Sequence, residues 1–272
     1  MSYESAPGLD VTLDGAVLRL RIDNPKRRNA LRDESLAAFL AAVETASHDD
    51  AVRAIVLDGA GDDFCSGFDI VTRNRRRGDD PGERPRVGSI QRRLPNQAHR
   101  LVPMLLEVQL PIVAVVRGWA AGLGFQLALA VDFAVVADDA RLWEPFLSRG
   151  FTPDSGATWL LPRLVGLARA RDLLLLGREL SGTEAAEWGL VHRAVPATEL
   201  VAAAEELVAR LASAPTAAVG LTKWLLNTGA GLDLRHHLTN EAFAMELSSR
   251  SPDFTEGLQA FQERRDPEFG GR

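Results

Sequence analysis

The chain has 272 residues, 46% hydrophobic and 25% charged, which suits one large core with an appendage and is ordinary for a globular protein. A net charge of −6 speaks against a general nucleic-acid binder, and a single cysteine, Cys65, excludes an intrachain disulfide and favours a reducing compartment. The start MSYESAPGLD has no basic or apolar leader, and the most apolar stretch is broken by Arg117, Gln126 and Asp132, so a cytoplasmic protein without membrane attachment is expected.

Leu9–Asp23 reads as a hairpin with its turn at Asp14-Gly15 and period-2 alternation in the second strand. Asp33–Ser47 reads as a helix with Leu36, Phe39, Leu40 and Val43 on one face. Arg53–Asp58 is a strand, and the basic, Pro-bearing stretch Val71–Arg93, with its RNRRR run at Arg73–Arg77, is expected to be a surface loop. Leu94–Glu107 follows as a helix, Ile112–Val116 as a strand, then a helix from about Gly124 and a strand at Asp132–Ala137. Strands separated by long connections suggest crossovers rather than a meander. After Gly166 the chain turns helical: Ala168–Leu176, Gly182–Trp188, Thr198–Ala212, Thr216–Asn227, Leu234–Ser248 and Thr255–Arg264. Ser181 and Glu184 form a capping-box pattern at the second of these.

Two glycine-bearing segments carry the chemistry, FCSGFDI at Phe64–Ile70 and RGWAAGLGFQLALA at Arg117–Ala130. Each follows a strand-like apolar run, so each exposes backbone amides where a strand gives way to a loop or helix. Two such amides converging on one point form an oxyanion hole, a donor pair for a carbonyl oxygen that gains negative charge. GWAAGLG is not a dinucleotide fingerprint, the five histidines lack metal-ligand spacing, and no nucleophile elbow is present. Cys65 reads as a small buried residue rather than a nucleophile.

With NPKRRNAL at Asn24–Leu31, WEPFLSRGFTPDSGATWLLPRLVG at Trp143–Gly166, LSGTEAAEWGLVHRAVP and FQERRDPEF, these segments resemble the crotonase, or enoyl-CoA hydratase/isomerase, superfamily almost end to end. The resemblance implies an α/β fold: a spiral of ββα repeats over 1–200 holding an acyl-CoA site, and a C-terminal helical oligomerisation region over 201–272. Such tails pack subunits into trimers, often paired as hexamers. The partner implied is an acyl-CoA thioester, with no cofactor beyond its CoA moiety and no metal. Carried over from the family, the oxyanion donors are the amides of Phe68 and Leu123, although glycine is usual at the second. Arg28, Ala30, Leu31, Ser66, Phe68 and Ile70 are implied to bind CoA, with Phe261 and Arg264 reaching it from the tail. Gln126, Glu144, Phe146, Phe151 and Trp119 are expected to line the substrate pocket.

Family hydratases hold and activate water with two glutamates, and the matching positions here are Gln126 and Phe146. An amide does not accept a proton at neutral pH, and a phenyl ring does not hold water by hydrogen bonding. A third carboxylate remains: Asp154 in TPDSGATW, where the Pro-Asp-x-Gly form resembles isomerases acting on enoyl-CoA and on ring-opened or epoxidised phenylacetyl-CoA. Asp154 reads first as a base that moves a proton along the acyl chain and second as an N-cap for the helix GATWLLPRL, the two roles being compatible. Glu144 reads as a solvated or structural carboxylate, and Asp69 as a brace for its loop. Three functions follow: an acyl-CoA isomerase using Asp154, a hydratase or thioester hydrolase activating water with Asp154 or Glu144, and a non-catalytic acyl-CoA binder.

Overall fold

The computed structural model describes residues 1–69 and 88–271. Ile70 and the Arg73–Arg77 run lie outside the described residues. The chain opens with β1 (Leu9–Asp14) and β2 (Val17–Ile22), an antiparallel pair in register Leu9↔Ile22. Gly15, at φ +58, makes the turn. Alternation buries Leu9 and Val11 and leaves Asp10 and Thr12 in solvent, which fixes the register, since a one-residue slip would invert both sets. Next come α1 (Asp33–Ala46), with Leu36, Phe39, Leu40 and Val43 buried as its periodicity predicts, and β3 (Ala54–Gly59).

The described chain resumes with a short helix α2 (Ser89–Arg93), inside the stretch read as loop. The helix expected over Leu94–Glu107 is broken: two 3-10 turns, Leu94–Asn96 and Ala98–Arg100, precede α3 (Leu101–Glu107). Pro95 sits in the first turn and has no N–H to donate to a continuing helix, and Gln97 leaves helical geometry at φ −129, ψ −114. Then follow β4 (Ile112–Val116), β5 (Trp119–Ala121), α4 (Leu123–Ala130), β6 (Phe133–Ala137) and β7 (Arg141–Trp143). The helix α5 (Ala157–Leu175) is interrupted at Gly166 (φ 75, ψ 166), so its halves are the two helices expected on either side of that glycine. Beyond it lie β8 (Leu180–Ser181), α6 (Gly182–Glu187) with the expected reciprocal Ser181/Glu184 capping box, and β9 (Arg193–Val195).

The strands form a six-stranded sheet, β1-β2-β3-β4-β6-β9, and a three-stranded sheet, β5-β7-β8. From β2 onward the large sheet is parallel, and its central strand β4 is buried throughout, as a sheet covered on both faces requires. β4, β5 and α4 make one ββα unit, and β6, β7 and α5 the next. Bridges Leu31↔Phe68 and Cys65↔Ala120 join the earlier loops to the small-sheet layer. These bridges bring the Arg28–Leu31 and Phe64–Asp69 loops against β5.

The tail is α7 (Leu200–Ala212), α8 (Thr216–Gly229), α9 (Leu234–Ser248) and α10 (Pro252–Glu263). α7 lies across β3, β4 and β6, while α8 packs on α3 and α9. Asp253, buried, accepts from the Gly270 and Gly271 amides at 2.7 and 2.9 Å, and Arg53 Nη1 donates to Phe269 O, so the chain end folds back on the core. No helix among the described residues is long and apolar enough to cross a membrane.

One buried ion pair ties α8 to the sheet. Lys223 Nζ donates to Asp132 Oδ2 at 2.8 Å and to Leu110 O at 3.1 Å, and Asp132 Oδ2 also accepts from Ile112 N. Burial pushes the Asp132 carboxyl up and the Lys223 amine down, each toward its neutral form, so their attraction offsets only part of the desolvation. Breaking the pair from one side leaves a buried charge. Lys223→Met is therefore expected to lower unfolding free energy in urea by about 3–5 kcal/mol. The double variant Lys223→Met/Asp132→Asn should recover much of that loss, and equal losses in the two variants would mean that the pair is unimportant.

Candidate active site

The two glycine segments meet because the backbone leaves no room for side chains between them. Cys65 N donates to Trp119 O and Ala121 N donates to Cys65 O, each at 2.9 Å, which zips the first segment onto β5. A Cβ on Gly124 would lie 2.0 Å from Cys65 O, so only glycine permits α4 to start against that loop. Gly67, at φ +94, is held as closely: a Cβ there would stand 2.9 Å from Ala121 O and 3.4 Å from Leu123 N. The amide of the following residue, Phe68, is therefore a neighbour of the Leu123 amide. Leu123 opens α4, so its N–H belongs to the first turn and has no acceptor within the helix.

Of the residues implied to hold the coenzyme, Arg28, Ala30, Leu31, Ser66 and Phe68 come together. Ser66 N donates to Arg28 O, Leu31 N to Gly67 O and Asp69 N to Leu31 O, at 2.9, 2.8 and 2.9 Å. These bonds stitch the Arg28–Leu31 loop to Ser66–Asp69. Arg28 takes the left-handed conformation (φ 49) and its guanidinium stands 5.5 Å over the Trp119 ring. Trp119 also faces Arg141 at 5.3 Å and Trp143 at 5.9 Å, which puts its indole in an arginine–tryptophan cluster. Asp69 is buried, with Arg32 Nε 3.8 Å from its carboxylate, in keeping with a brace. Phe261 is 84% exposed on α10, and Arg264 ends that helix in the left-handed conformation. Among the described residues, no hydrogen bond or ion pair of Arg264 joins either loop.

The carboxylates are arranged differently from the sequence reading. Glu144 is not solvated: it is only 2% exposed, and Gln126 Nε2 donates to both its oxygens at 3.1 and 3.0 Å. Burial pushes the Glu144 carboxyl well above the usual range; the Gln126 bond opposes this, and the nearby Asp154 charge adds to it. Asp154 is half-buried in the turn before α5 and accepts from Ser155 Oγ at 3.0 Å. It does not cap α5. Gly156 is the N-cap residue, without a side-chain cap bond, and Ala157 N reaches the Asp154 backbone carbonyl instead. Phe146 is buried, its ring edge-on to Phe151 at 5.5 Å, so an apolar wall occupies the position of the missing glutamate.

Of the two readings of Glu144, solvated or structural, the structure removes the first, and its burial has a signal in the sequence. Its signal was the alternation Leu142, Glu144, Phe146, all buried, continuing β7 past its last residue. Cys65 is fully buried and its thiol is pushed up to about 12 by burial, which removes it as a nucleophile. No cluster of potential metal ligands exists among the described residues.

The model of the enoyl-CoA hydratase/isomerase family matches residues 12–272. The chain is 36% identical over 260 residues to 1,2-epoxyphenylacetyl-CoA isomerase of Escherichia coli (strain K12), covering 96% of this chain and 97% of that protein. It is 32% identical to crotonyl-CoA hydratase of Syntrophomonas wolfei, over 92% of this chain and 93% of the relative. The crystal structure of an enoyl-CoA hydratase from Bacillus anthracis superposes with a TM-score of 0.88 at 30% identity, over 97% of this chain and 100% of that one.

Proposed function

The chain belongs to the enoyl-CoA hydratase/isomerase family, with the crotonase-type α/β spiral and helical tail, and from that premise we propose that it is an enoyl-CoA isomerase with Asp154 as its acid/base. The observation that carries this reading is the Asp154 carboxylate: half-buried, unused as a helix cap, and near enough for its charge to act on the buried Glu144 carboxyl. The acyl thioester oxygen accepts from the Phe68 and Leu123 amides. Removal of a proton next to a thioester puts negative charge on that oxygen, and preorganised donors stabilise the enolate without reorganisation. Asp154 takes the proton from one carbon, and the double bond shifts when a proton is returned to another.

Other observations support the same reading. Phe146, edge-on to Phe151, puts an apolar wall where family hydratases have a water-holding glutamate. An isomerase of an epoxidised phenylacetyl-CoA is among the relatives. Arg28, Ala30, Leu31, Ser66, Phe68 and Ile70 hold the CoA moiety in this reading, with Phe261 and Arg264 contributing from the tail. No metal or redox cofactor is needed for a proton shift. The region 201–272 is assigned to assembly into a homotrimer or a dimer of trimers, supported by apolar side chains exposed along it, among them Leu234, Leu238, Phe243 and Leu258. Residence in the cytoplasm is supported by the unpaired thiol of Cys65.

A second reading, hydration with a non-standard acid pair, is favoured by the second carboxyl, Glu144, beside Asp154. One experiment separates the two. Incubation with α,β- and β,γ-enoyl-CoA thioesters, followed by chromatography and mass spectrometry, is expected to give a product of unchanged mass and new retention. Gain of one water mass would establish hydration and sink the isomerase reading. Recovery of the whole panel unchanged would leave an acyl-CoA binder.

A further inference from the structure

Among the described residues, the only hydrogen-bonding partner of the Glu144 side chain is a neutral amide, which is unusual for a carboxyl this deeply buried. Gln126 is itself wholly buried, and while its Nε2 serves Glu144, its Oε1 has no donor among the described residues. Such an orphan acceptor is costly and calls for an explanation. No lysine, arginine or histidine forms an ion pair with Glu144 among the described residues, and the charge that acts on it is a second carboxylate, Asp154. A proton on Glu144 resolves all of this together. The buried charge and its repulsion with Asp154 disappear, and the new O–H finds Gln126 Oε1 once the amide turns edge to edge with the carboxyl. Nε2 then keeps the other oxygen, giving a ring of two hydrogen bonds.

This acid–amide pair lies next to the amides of the site. Gln126 is three residues beyond Leu123 on α4, so both lie on one side of the helix, a turn apart. Glu144 follows the end of β7, where Gly122 N donates to Trp143 O and so fixes the entry to α4. Resting on the isomerase reading of this site, we propose that Glu144 is its proton donor: the carboxyl O–H held by Gln126 protonates the acyl carbon from which Asp154 has not taken a proton.

The step balances without redox chemistry. Asp154 takes a proton from the acyl chain, and the C–H electron pair moves into the thioester to form an enolate. The enolate then forms a new C–H bond with the Glu144 proton, leaving a Glu144 carboxylate. The proton on Asp154 passes to that carboxylate and restores both groups. A single carboxyl acting alone would instead carry the same hydrogen from one carbon to the other.

Two measurements test this. Infrared spectra of the protein without substrate, at neutral pH, are expected to show a neutral-carboxyl C=O stretch that is missing from Glu144→Gln. Its absence from the wild type overturns the proposal whatever the enzyme catalyses. In a single turnover of a β,γ-enoyl-CoA deuterated at the α-carbon, wild-type product is expected to carry little label at the γ-carbon. Glu144→Gln keeps the shape of the pair and is expected to bind acyl-CoA normally, to turn over about 100-fold more slowly, and to pass the label across intramolecularly. Wild-type rate and label pattern in Glu144→Gln overturn the proposal. If the wild type forms no isomer, the isomerase reading fails, and the infrared band alone still decides the acid–amide pair.

Discussion

Asp154→Asn is expected to lower kcat for enoyl-CoA isomerisation by about 10²–10⁴-fold, the range lost with a positioned general acid/base, while acyl-CoA Kd stays unchanged. The reason lies in what Asp154 does not do. It supplies no side-chain cap to α5, where Gly156 is the N-cap residue, and its side chain accepts one bond from Ser155 Oγ. Asparagine retains the shape and that acceptor, so folding should survive within about 0.5 kcal/mol. What it loses is the basic oxygen, since an amide takes no proton at neutral pH. Steady-state kinetics with calorimetric binding of a non-reactive acyl-CoA would check both halves. Full turnover by Asp154→Asn would leave Asp154 structural, and loss of binding together with turnover would mean that it holds the substrate rather than acting on it.

The second large effect is expected at Gly67. Its φ of +94 is a conformation that L side chains rarely adopt, and a Cβ there would meet Ala121 O at 2.9 Å. That oxygen is backbone, fixed by β5, and cannot swing away as a side chain would. Gly67→Ala must therefore push the Ser66–Asp69 loop from the start of α4, separating the Phe68 and Leu123 amides. Displacing one oxyanion donor costs about 10²–10³ in kcat, and the strained conformation adds about 1–2 kcal/mol of destabilisation. Gly15 supplies the control: it too has a positive φ, at +58, but nothing lies within 4 Å of its Cβ position. Gly15→Ala should share the stability cost and keep the activity. Equal activity in the two variants would remove the amide pair from the mechanism.

The legible parts of the chain were those governed by short-range rules. The Asp14-Gly15 turn, the buried stripe of Leu36, Phe39, Leu40 and Val43, and the Ser181/Glu184 box each depend on residues a few positions apart. The close approach of the glycine segments was legible in part, because glycines where strands end imply backbone against backbone. That Gly124 faces Cys65 O and Gly67 faces Ala121 O is a matter of tertiary distance. Pro95 broke a helix whose periodicity read as continuous, whereas the helices read on either side of Gly166 are the two halves of α5. Glu144 was the largest departure. It reads as a solvated or structural carboxylate, and its burial follows from the alternation of β7 carried on by two residues and from a partner, Gln126, on another element. The same partnership changes the meaning of Gln126, which reads as a lost acid in the sequence and is a hydrogen-bond donor to a retained one in the fold.

The most direct test is a crystal structure of Asp154→Asn with a β,γ-enoyl-CoA bound. The expected result is a thioester oxygen within hydrogen-bond reach of both the Phe68 and Leu123 amides, with the acyl carbons that exchange protons facing residue 154. A thioester oxygen away from those amides, or an acyl chain that passes residue 154 at a distance with a water held against Glu144, would contradict isomerisation through Asp154.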